Sequence, residues 1–267
     1  MHGRDVGLPM KILQAIAVQI GALIRDIFPV GRAAKPDPAK PLPVVWYYAK
    51  EPDRGQRLFI FLPGRRDRAP DFARHGFITM AQGRVLDLDC VAVDATISYY
   101  LDGSVADRIQ REIVIPARAH HYREIWLVGV SMGGLGAFFH QRAFPDQIDG
   151  LILLAPFVGD DPKLFTDIDA AGGAALWARA QPSGDGDAAR NSATYQRDLW
   201  LFLGGLACPP TSKRQIWVAY GDRDRLLPGI ERLSTVIPPE RMFRLPGGHT
   251  WDVWKTGFDV ILKRITW

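Results

Sequence analysis

The chain has 267 residues, of which 47% are hydrophobic and 23% charged, so it is long enough to bury one sizeable core. Its formal net charge of +4 comes from arginines spread along the chain with acidic residues between them, and no basic stripe with stacking aromatic residues predicts a nucleic-acid partner. The two cysteines, Cys90 and Cys208, are too few for a disulfide framework. They favour free thiols in a reducing, cytoplasmic compartment, with a single bridge as the alternative.

The first predicted element is a helix within residues 8–28. Its apolar residues fall close to one helical stripe, at Ile12, Ile16, Ile20, Leu23 and Ile27. Polar side chains interrupt the segment, so it is a poor transmembrane helix, and it shows no clean secretory cleavage site. We expect an amphipathic helix that packs on the domain, with contact to a membrane surface as the alternative. A proline-rich linker follows, so residues 1–43 precede a domain at residues 44–267.

Within that domain, short apolar strands alternate with helical segments, which predicts an α/β fold with a mostly parallel sheet and helices on both faces. The strands are predicted at Val44–Ala49, Leu58–Leu62, Cys90–Ala95, Ile125–Val130, Leu151–Ala155, Ile216–Tyr220 and Met242–Leu245. The helices are predicted at Asp71–Gln82, Val105–Arg118, Met132–Ala143 and Trp251–Ile265.

The fourth predicted strand runs into a Gly-x-Ser-x-Gly sequence, with Ser131 between Gly129 and Gly133. Glycine at both positions allows a strand and a helix to approach closely around a strained serine. The pattern predicts a nucleophile elbow that exposes the Ser131 hydroxyl. An ordinary turn is the alternative, because glycine and serine are both common in turns.

A serine nucleophile needs a base, and the base needs a carboxylate that orients it. Both residue types follow later strands: Asp222 and Asp224 come directly after the sixth strand, and His249 comes after the seventh. The sequence therefore predicts a serine, an aspartate and a histidine in this chain order, each just beyond the end of a strand. Asp222 and Asp224 compete for the role of the carboxylate, and Asp222 has a simpler interpretation as a turn former.

This order resembles that of the α/β-hydrolases. The sequence Gly-Gly-His-Thr-Trp-Asp-Val-Trp at residues 247–254 is similar to the histidine motif of the esterase D and feruloyl esterase group, and the resemblance covers residues 44–267. It implies the α/β-hydrolase fold, in which a full sheet has eight strands, so the first strand is absent or unrecognised here. It also implies a catalytic triad of Ser131, Asp224 and His249, because the aspartate usually lies three positions after the glycine that ends its strand.

The resemblance further implies two N–H donors for an oxyanion. Met132, directly after the nucleophile, is predicted to provide one. The loop after Leu58–Leu62 is predicted to provide the other, from Arg65 or, as second candidate, Arg66. Proline occupies position 63, where many relatives have histidine. The side chains of these arginines belong either to a solvated basic loop or to a contact with an acidic substrate.

The alternation of strands and helices is interrupted at residues 157–213. This segment is predicted to be a lid-like insertion, since ligands of open α/β sheets bind beyond the carboxyl ends of the strands. Helices that merely pack on the sheet are the alternative. The aromatic residues of the insertion belong either to the core or to an acyl pocket: Trp177, Tyr195, Trp200 and Phe202. The other candidate substrate contacts are Arg66, Tyr99, Tyr100 and Trp251.

Together these features predict a serine hydrolase that cleaves carboxylic esters of small molecules through an acyl-enzyme intermediate. A thioesterase, a lactonase or a peptidase would use the same residues, and a noncatalytic member of the fold that binds a ligand or a membrane surface is a further alternative. No metal is expected, because the histidines are few and the adjacent pair His120 and His121 point in different directions. No cofactor is expected either, since no glycine-rich phosphate loop follows the first strand. The oligomeric state is left open.

Overall fold

The structure is a computed structural model, and it describes residues 36–49, 56–181, 194–206 and 215–267. The predicted helix at residues 8–28, the first residue of the linker and Cys208 lie outside these ranges. Within them, none of the helices combines the length and the hydropathy that crossing a bilayer requires.

In the described chain, seven strands form one sheet in the order β1-β3-β2-β4-β5-β6-β7. Neighbouring strands are parallel except for β1 and β3, which are antiparallel. The strands are β1 Val44–Tyr47, β2 Arg57–Leu62, β3 Leu88–Val93, β4 Glu124–Val130, β5 Gly150–Leu154, β6 Gln215–Gly221 and β7 Met242–Leu245. All seven predicted strands are therefore confirmed, with small shifts at their ends.

The central strands are buried on both faces, as parallel strands covered by helices must be. Residues 58–62 of β2, for example, have no exposed surface. The strand register brings the carboxyl ends of the strands to one edge: Leu62 of β2 pairs with Gly129 of β4, and Gly221 of β6 pairs with Leu245 of β7. The loops that carry the predicted site residues therefore leave the sheet along the same edge.

The described α-helices are α1 Ala69–Arg74, α2 Phe77–Arg84, α3 Ile97–Leu101, α4 Val105–Ile109, α5 Ile115–Ala119, α6 Met132–Ala143, α7 Pro162–Ala170, α8 Ala174–Arg179, α9 Thr194–Gly205, α10 Leu227–Arg232 and α11 Trp251–Leu262. Helix α2 packs against β3 and α11, and α11 packs against β5 and β6. Helix α6 packs against β2 and β4, and α4 and α9 pack against α6.

Two predicted helices differ from the observed ones. The predicted helix at Asp71–Gln82 is divided into α1 and α2, because Gly76 between them has a left-handed backbone with a φ of 79°. The predicted helix at Val105–Arg118 contains a π-helical segment, Gln110–Val114, between α4 and α5. Pro116 follows this segment and has no N–H to donate, so the regular α-helical hydrogen bond is lost there.

The insertion contributes α7, α8 and α9, and its aromatic residues pack mainly in the core. Trp177 and Tyr195 are buried, Phe202 is half-buried against the core, and Trp200 is fully buried. The indole Nε1 of Trp200 donates a 2.9 Å hydrogen bond to the carbonyl of Val158. For these side chains the structure favours packing over a role in an acyl pocket.

Candidate active site

Ser131 lies in the sharp turn between β4 and α6, and its backbone is strained. Its φ is 52° and its ψ is −113°, a region that residues other than glycine rarely adopt. Three backbone hydrogen bonds hold this conformation: the Ser131 N–H donates to the carbonyl of Leu154 at 2.9 Å, and the Ser131 carbonyl accepts from Phe157 at 2.9 Å and from Gly134 at 3.0 Å. Such over-determined strain is concentrated at functional sites.

The glycines on either side of Ser131 make the turn possible. A β carbon at Gly129 would lie 2.5 Å from the carbonyl oxygen of Gly133, and a β carbon at Gly133 would overlap the carbonyl oxygen of Leu62 in β2. Backbone atoms cannot move aside as a flexible side chain can. Both positions therefore require glycine. This close approach of strand and helix is what the Gly-x-Ser-x-Gly pattern predicted.

His249 joins Ser131 to Asp224 through hydrogen bonds at both ring nitrogens. Its Nε2 lies 3.0 Å from Oγ of Ser131, and its Nδ1 lies 2.8 Å and 2.9 Å from the two carboxylate oxygens of Asp224. A carboxylate only accepts hydrogen bonds, so an ionised Asp224 requires the proton on Nδ1 and leaves Nε2 free to accept from the Ser131 hydroxyl. The structure thus brings these three predicted residues together.

Asp224 is shielded from solvent, and its carboxylate has a second donor. Its side chain has no exposed surface, and Oδ1 also accepts a 2.9 Å hydrogen bond from the N–H of Leu226. The orientation of the carboxylate toward His249 is therefore fixed by its own loop. A buried carboxylate held in this way keeps the imidazole in one tautomer.

Asp222 has a different role from Asp224. Its Oδ1 accepts a 2.8 Å hydrogen bond from the N–H of Gly247, and the N–H of Arg223 donates to the carbonyl of Gly247, also at 2.8 Å. These bonds tie the loop after β6 to the loop that carries His249. Asp222 therefore secures the position of the histidine loop, while Asp224 contacts the ring.

A tryptophan that the sequence analysis did not single out packs against His249. The rings of Trp254 and His249 are 4.9 Å apart at 84°, an edge-to-face arrangement, and Trp254 is buried. Trp254 lies one turn into α11, whose first residue is Trp251. The histidine motif at residues 247–254 includes Trp254, so the sequence did contain a signal for this residue. The contact between its ring and His249 could not be predicted, because it depends on the residue at which α11 begins.

The two predicted oxyanion donors lie on either side of Ser131. Met132 is the first residue of α6, so its N–H is not used within the helix and points out at the positive end of the helix dipole. On the other side, Gly64 approaches Ser131, since a β carbon at position 64 would lie 3.6 Å from Cβ of Ser131. Arg65 directly follows Gly64.

Arginines from two loops gather beside this position. Burial, followed by repulsion from Arg66 and Arg225, lowers the pKa of Arg65. Arg65 is half-buried, whereas Arg66 and Arg225 are exposed. Arg68 does not belong to this group, because its guanidinium forms an ion pair with Asp94 at 2.5 Å.

Two further predicted substrate contacts, Trp251 and Tyr99, are half-buried and contact different neighbours. Trp251 is half-buried, stacks on His75 with 4.4 Å between ring centroids, and donates from Nε1 to Asp67 in the loop after β2 at 3.3 Å. Tyr99 is half-buried and lies under the Arg108 guanidinium, 5.6 Å from it.

Tyr100 corrects the sequence analysis. It has no exposed surface, and a β carbon at Gly136 of α6 would lie 2.6 Å from its hydroxyl oxygen. Tyr100 therefore packs beneath α6 and offers no surface to a substrate.

Comparisons with known proteins bear on the fold. Neither a protein-family model nor a curated protein matches the chain. Among solved structures, the fluorophosphonate-binding serine hydrolase FphF of Staphylococcus aureus has a TM-score of 0.56 and 14% identity, and the match covers 84% of this chain and 98% of that one. A monoacylglycerol lipase of Paleococcus ferrophilus has a TM-score of 0.54 and 12% identity, covering 85% and 100%. A ferulic acid esterase has a TM-score of 0.50 and 15% identity, covering 84% and 98%.

These similarities show the α/β-hydrolase fold that the sequence predicted. Proteins described as an esterase and a serine hydrolase are among the structural neighbours.

The elbow generates a prediction about stability. Gly133→Ala should lower the free energy of unfolding by about 2 kcal/mol or more, because the added methyl group overlaps a backbone carbonyl. Gly83→Ala is the matched control: Gly83 also lies in a helix, but a β carbon there meets nothing within 4 Å, so stability should stay the same or rise by roughly 0.5–1 kcal/mol. Urea unfolding followed by circular dichroism measures both variants. Equal effects would contradict the proposed steric role of Gly133.

Proposed function

We propose that the protein is a serine hydrolase of carboxylic esters, with Ser131 as nucleophile, His249 as general base and acid, and Asp224 as the carboxylate that orients His249. The observation that carries this proposal is the continuous hydrogen-bonded path from Oγ of Ser131 through both nitrogens of His249 to the buried Asp224. The position of Ser131 at a strained elbow adds support, as do the structural neighbours described as a serine hydrolase and a lipase.

Acylation follows from the hydrogen-bond directions. As Oγ of Ser131 attacks the acyl carbon, Nε2 of His249 takes the hydroxyl proton, and Asp224 stabilises the imidazolium through Nδ1–H. The carbonyl oxygen becomes an oxyanion, which accepts hydrogen bonds from the N–H groups of Met132 and Arg65. When the tetrahedral intermediate collapses, the ester C–O bond breaks and Nε2 returns the proton to the departing alkoxide.

Deacylation repeats these steps with water in place of the serine. His249 takes a proton from water as the water oxygen attacks the acyl-enzyme, and it then protonates Oγ of Ser131 as the carboxylic acid leaves. The helix dipole of α6 favours negative charge at Met132 in both halves of the reaction. Arg66 and Trp251 are proposed to contact the substrate at the mouth of the site, since Arg66 lies in the loop after β2 and Trp251 begins α11, two residues after His249.

The nucleophile is tested by Ser131→Ala. Ester hydrolysis should fall by about four to six orders of magnitude, because loss of the nucleophile leaves only binding and oxyanion stabilisation. Hydrolysis of p-nitrophenyl acetate measures the loss, and circular dichroism checks the fold. Ser234→Ala is the matched control, since Ser234 is exposed in a short helix outside the site and its loss should change neither quantity. A Ser131→Ala variant with wild-type turnover would rule out the proposed nucleophile.

The two aspartates are separated by parallel amide substitutions. Asp224→Asn should reduce kcat by about three to four orders of magnitude, because the amide no longer holds the correct tautomer of His249. Asp222→Asn retains an oxygen that can accept from Gly247, so its effect should be far smaller. Steady-state kinetics on the same ester compares them. A greater loss of kcat in Asp222→Asn than in Asp224→Asn would show that the proposed assignment of Asp224 is wrong.

A further inference from the structure

A carboxylate outside the Ser131–His249–Asp224 set borders the same space as the nucleophile. Asp67 belongs to the loop after β2, and its Oδ1 accepts a 3.3 Å hydrogen bond from Nε1 of Trp251. A β carbon at Gly64 would collide with Oδ2 of Asp67 while lying 3.6 Å from Cβ of Ser131. Oδ2 therefore occupies the position that a side chain at residue 64 would take, and it lies next to the Ser131 side chain.

The hydrogen bonding of this carboxylate is incomplete. Among the residues that the structure describes, Trp251 is the one donor to the Asp67 carboxylate, and Oδ2 accepts from none. An ionised carboxylate has about four acceptor positions, so Oδ2 still needs donors. Asp67 is half-buried, and its Oδ2 is not among the solvent-inaccessible polar atoms of the described chain that lack a partner. A ligand that enters the site can therefore reach it.

The surroundings of Asp67 disfavour the ionised form of its carboxyl group. Burial is the main cause that raises the pKa of Asp67, and the nearby Asp71 carboxylate raises it further, while the Trp251 hydrogen bond, His249 and His75 act in the opposite direction. Asp71 itself is engaged elsewhere, by the N–H of Arg68 at 2.7 Å and by the Arg74 guanidinium. A new donor at Oδ2 would relieve the deficit, since hydrogen bonds to charged groups are about twice as strong as neutral ones.

We propose that Asp67 is a specificity-determining residue, and that its Oδ2 accepts a hydrogen bond from a hydroxyl or ammonium group that the substrate carries beside its scissile ester. This inference rests on the proposed function of the site. The donor is expected close to the ester group, because Oδ2 and the Ser131 side chain both lie beside Gly64. An ester without such a donor would cover the carboxylate and leave it unpaired, which sites built around a polar contact penalise strongly.

The test compares small esters that differ in one group. Methyl propanoate has no donor, methyl 2-hydroxypropanoate and methyl 2-aminopropanoate carry a hydroxyl and an amine on the acyl side, and 2-hydroxyethyl propanoate carries a hydroxyl on the alcohol side. Hydrolysis is followed by automatic titration of the released acid at pH 7, where the amine is mostly protonated. The measured quantity is the ratio of kcat/KM for each donor-bearing ester to kcat/KM for methyl propanoate, which removes effects on overall activity.

For the wild type, at least one ratio should exceed about ten, and Asp67→Ala should bring it close to one. Asp67→Asn keeps an acceptor oxygen but loses the charge, so it should retain part of a hydroxyl preference and abolish an ammonium preference. Asp87→Asn is the matched control: Asp87 forms an ion pair with Arg57 at the start of β2, at the opposite end of that strand, and its loss should leave every ratio unchanged.

Two results would overturn the inference. One is a wild type that hydrolyses these esters with all ratios near one, and the other is a preference that survives Asp67→Ala. Both leave the proposed ester hydrolysis intact, since turnover is still observed. A wild type that hydrolyses none of the esters, and no p-nitrophenyl acetate, would instead remove the proposed function and this inference with it.

Discussion

The close passage of α6 over β2 at Gly133 is the constraint on which the site depends. The Gly133 backbone lies so near the Leu62 carbonyl that no side chain fits, and Gly129 meets Gly133 equally closely across the turn. Ser131 is thereby held at a positive φ, with its hydroxyl directed at His249 rather than into the helix. The same passage places the amino end of α6 beside Ser131. One steric arrangement therefore fixes both the serine and the N–H of Met132, the proposed oxyanion donor.

The sheet register provides the second level of organisation, because it ends β4, β6 and β7 along one edge. Each loop is then secured locally. Asp222 binds the backbone of Gly247, the N–H of Leu226 binds Asp224, and Trp254 supports the His249 ring from α11. The two aspartates therefore have different roles: Asp222 positions the histidine loop, and Asp224 contacts the His249 ring. In the proposed mechanism, proton transfer between Ser131 and His249 therefore needs little rearrangement of side chains, which is the preorganisation that catalysis requires.

The strands and the three central site residues could be predicted from sequence because the signals are local. Buried parallel strands appear as short apolar runs, and Ser131, Asp224 and His249 each lie in the loop or turn that follows such a run. Features that depend on packing could not be predicted in this way. Tyr100 was placed at the pocket wall, but it lies three residues after Ile97 in the short helix α3, so both side chains face the core.

The contribution of Asp67 was equally hidden from sequence. Within the basic loop it is one more polar residue, and only the folded chain brings its Oδ1 to the indole of Trp251, far away along the chain. Gly76 was a sequence signal for the division between α1 and α2, because glycine often ends a helix. The prediction missed it because it relied on the periodicity of apolar residues alone.

Covalent labelling by a fluorophosphonate tests the proposed nucleophile most directly. The reagent phosphonylates a serine activated by a neighbouring base, and intact-mass measurement followed by peptide mapping locates the adduct without any assumption about the natural ester. One adduct per chain is expected, on the peptide that contains Ser131, and it should be absent after His249→Ala. No adduct on the wild type, or an adduct on another serine with Ser131 unmodified, would contradict a Ser131–His249–Asp224 catalytic site.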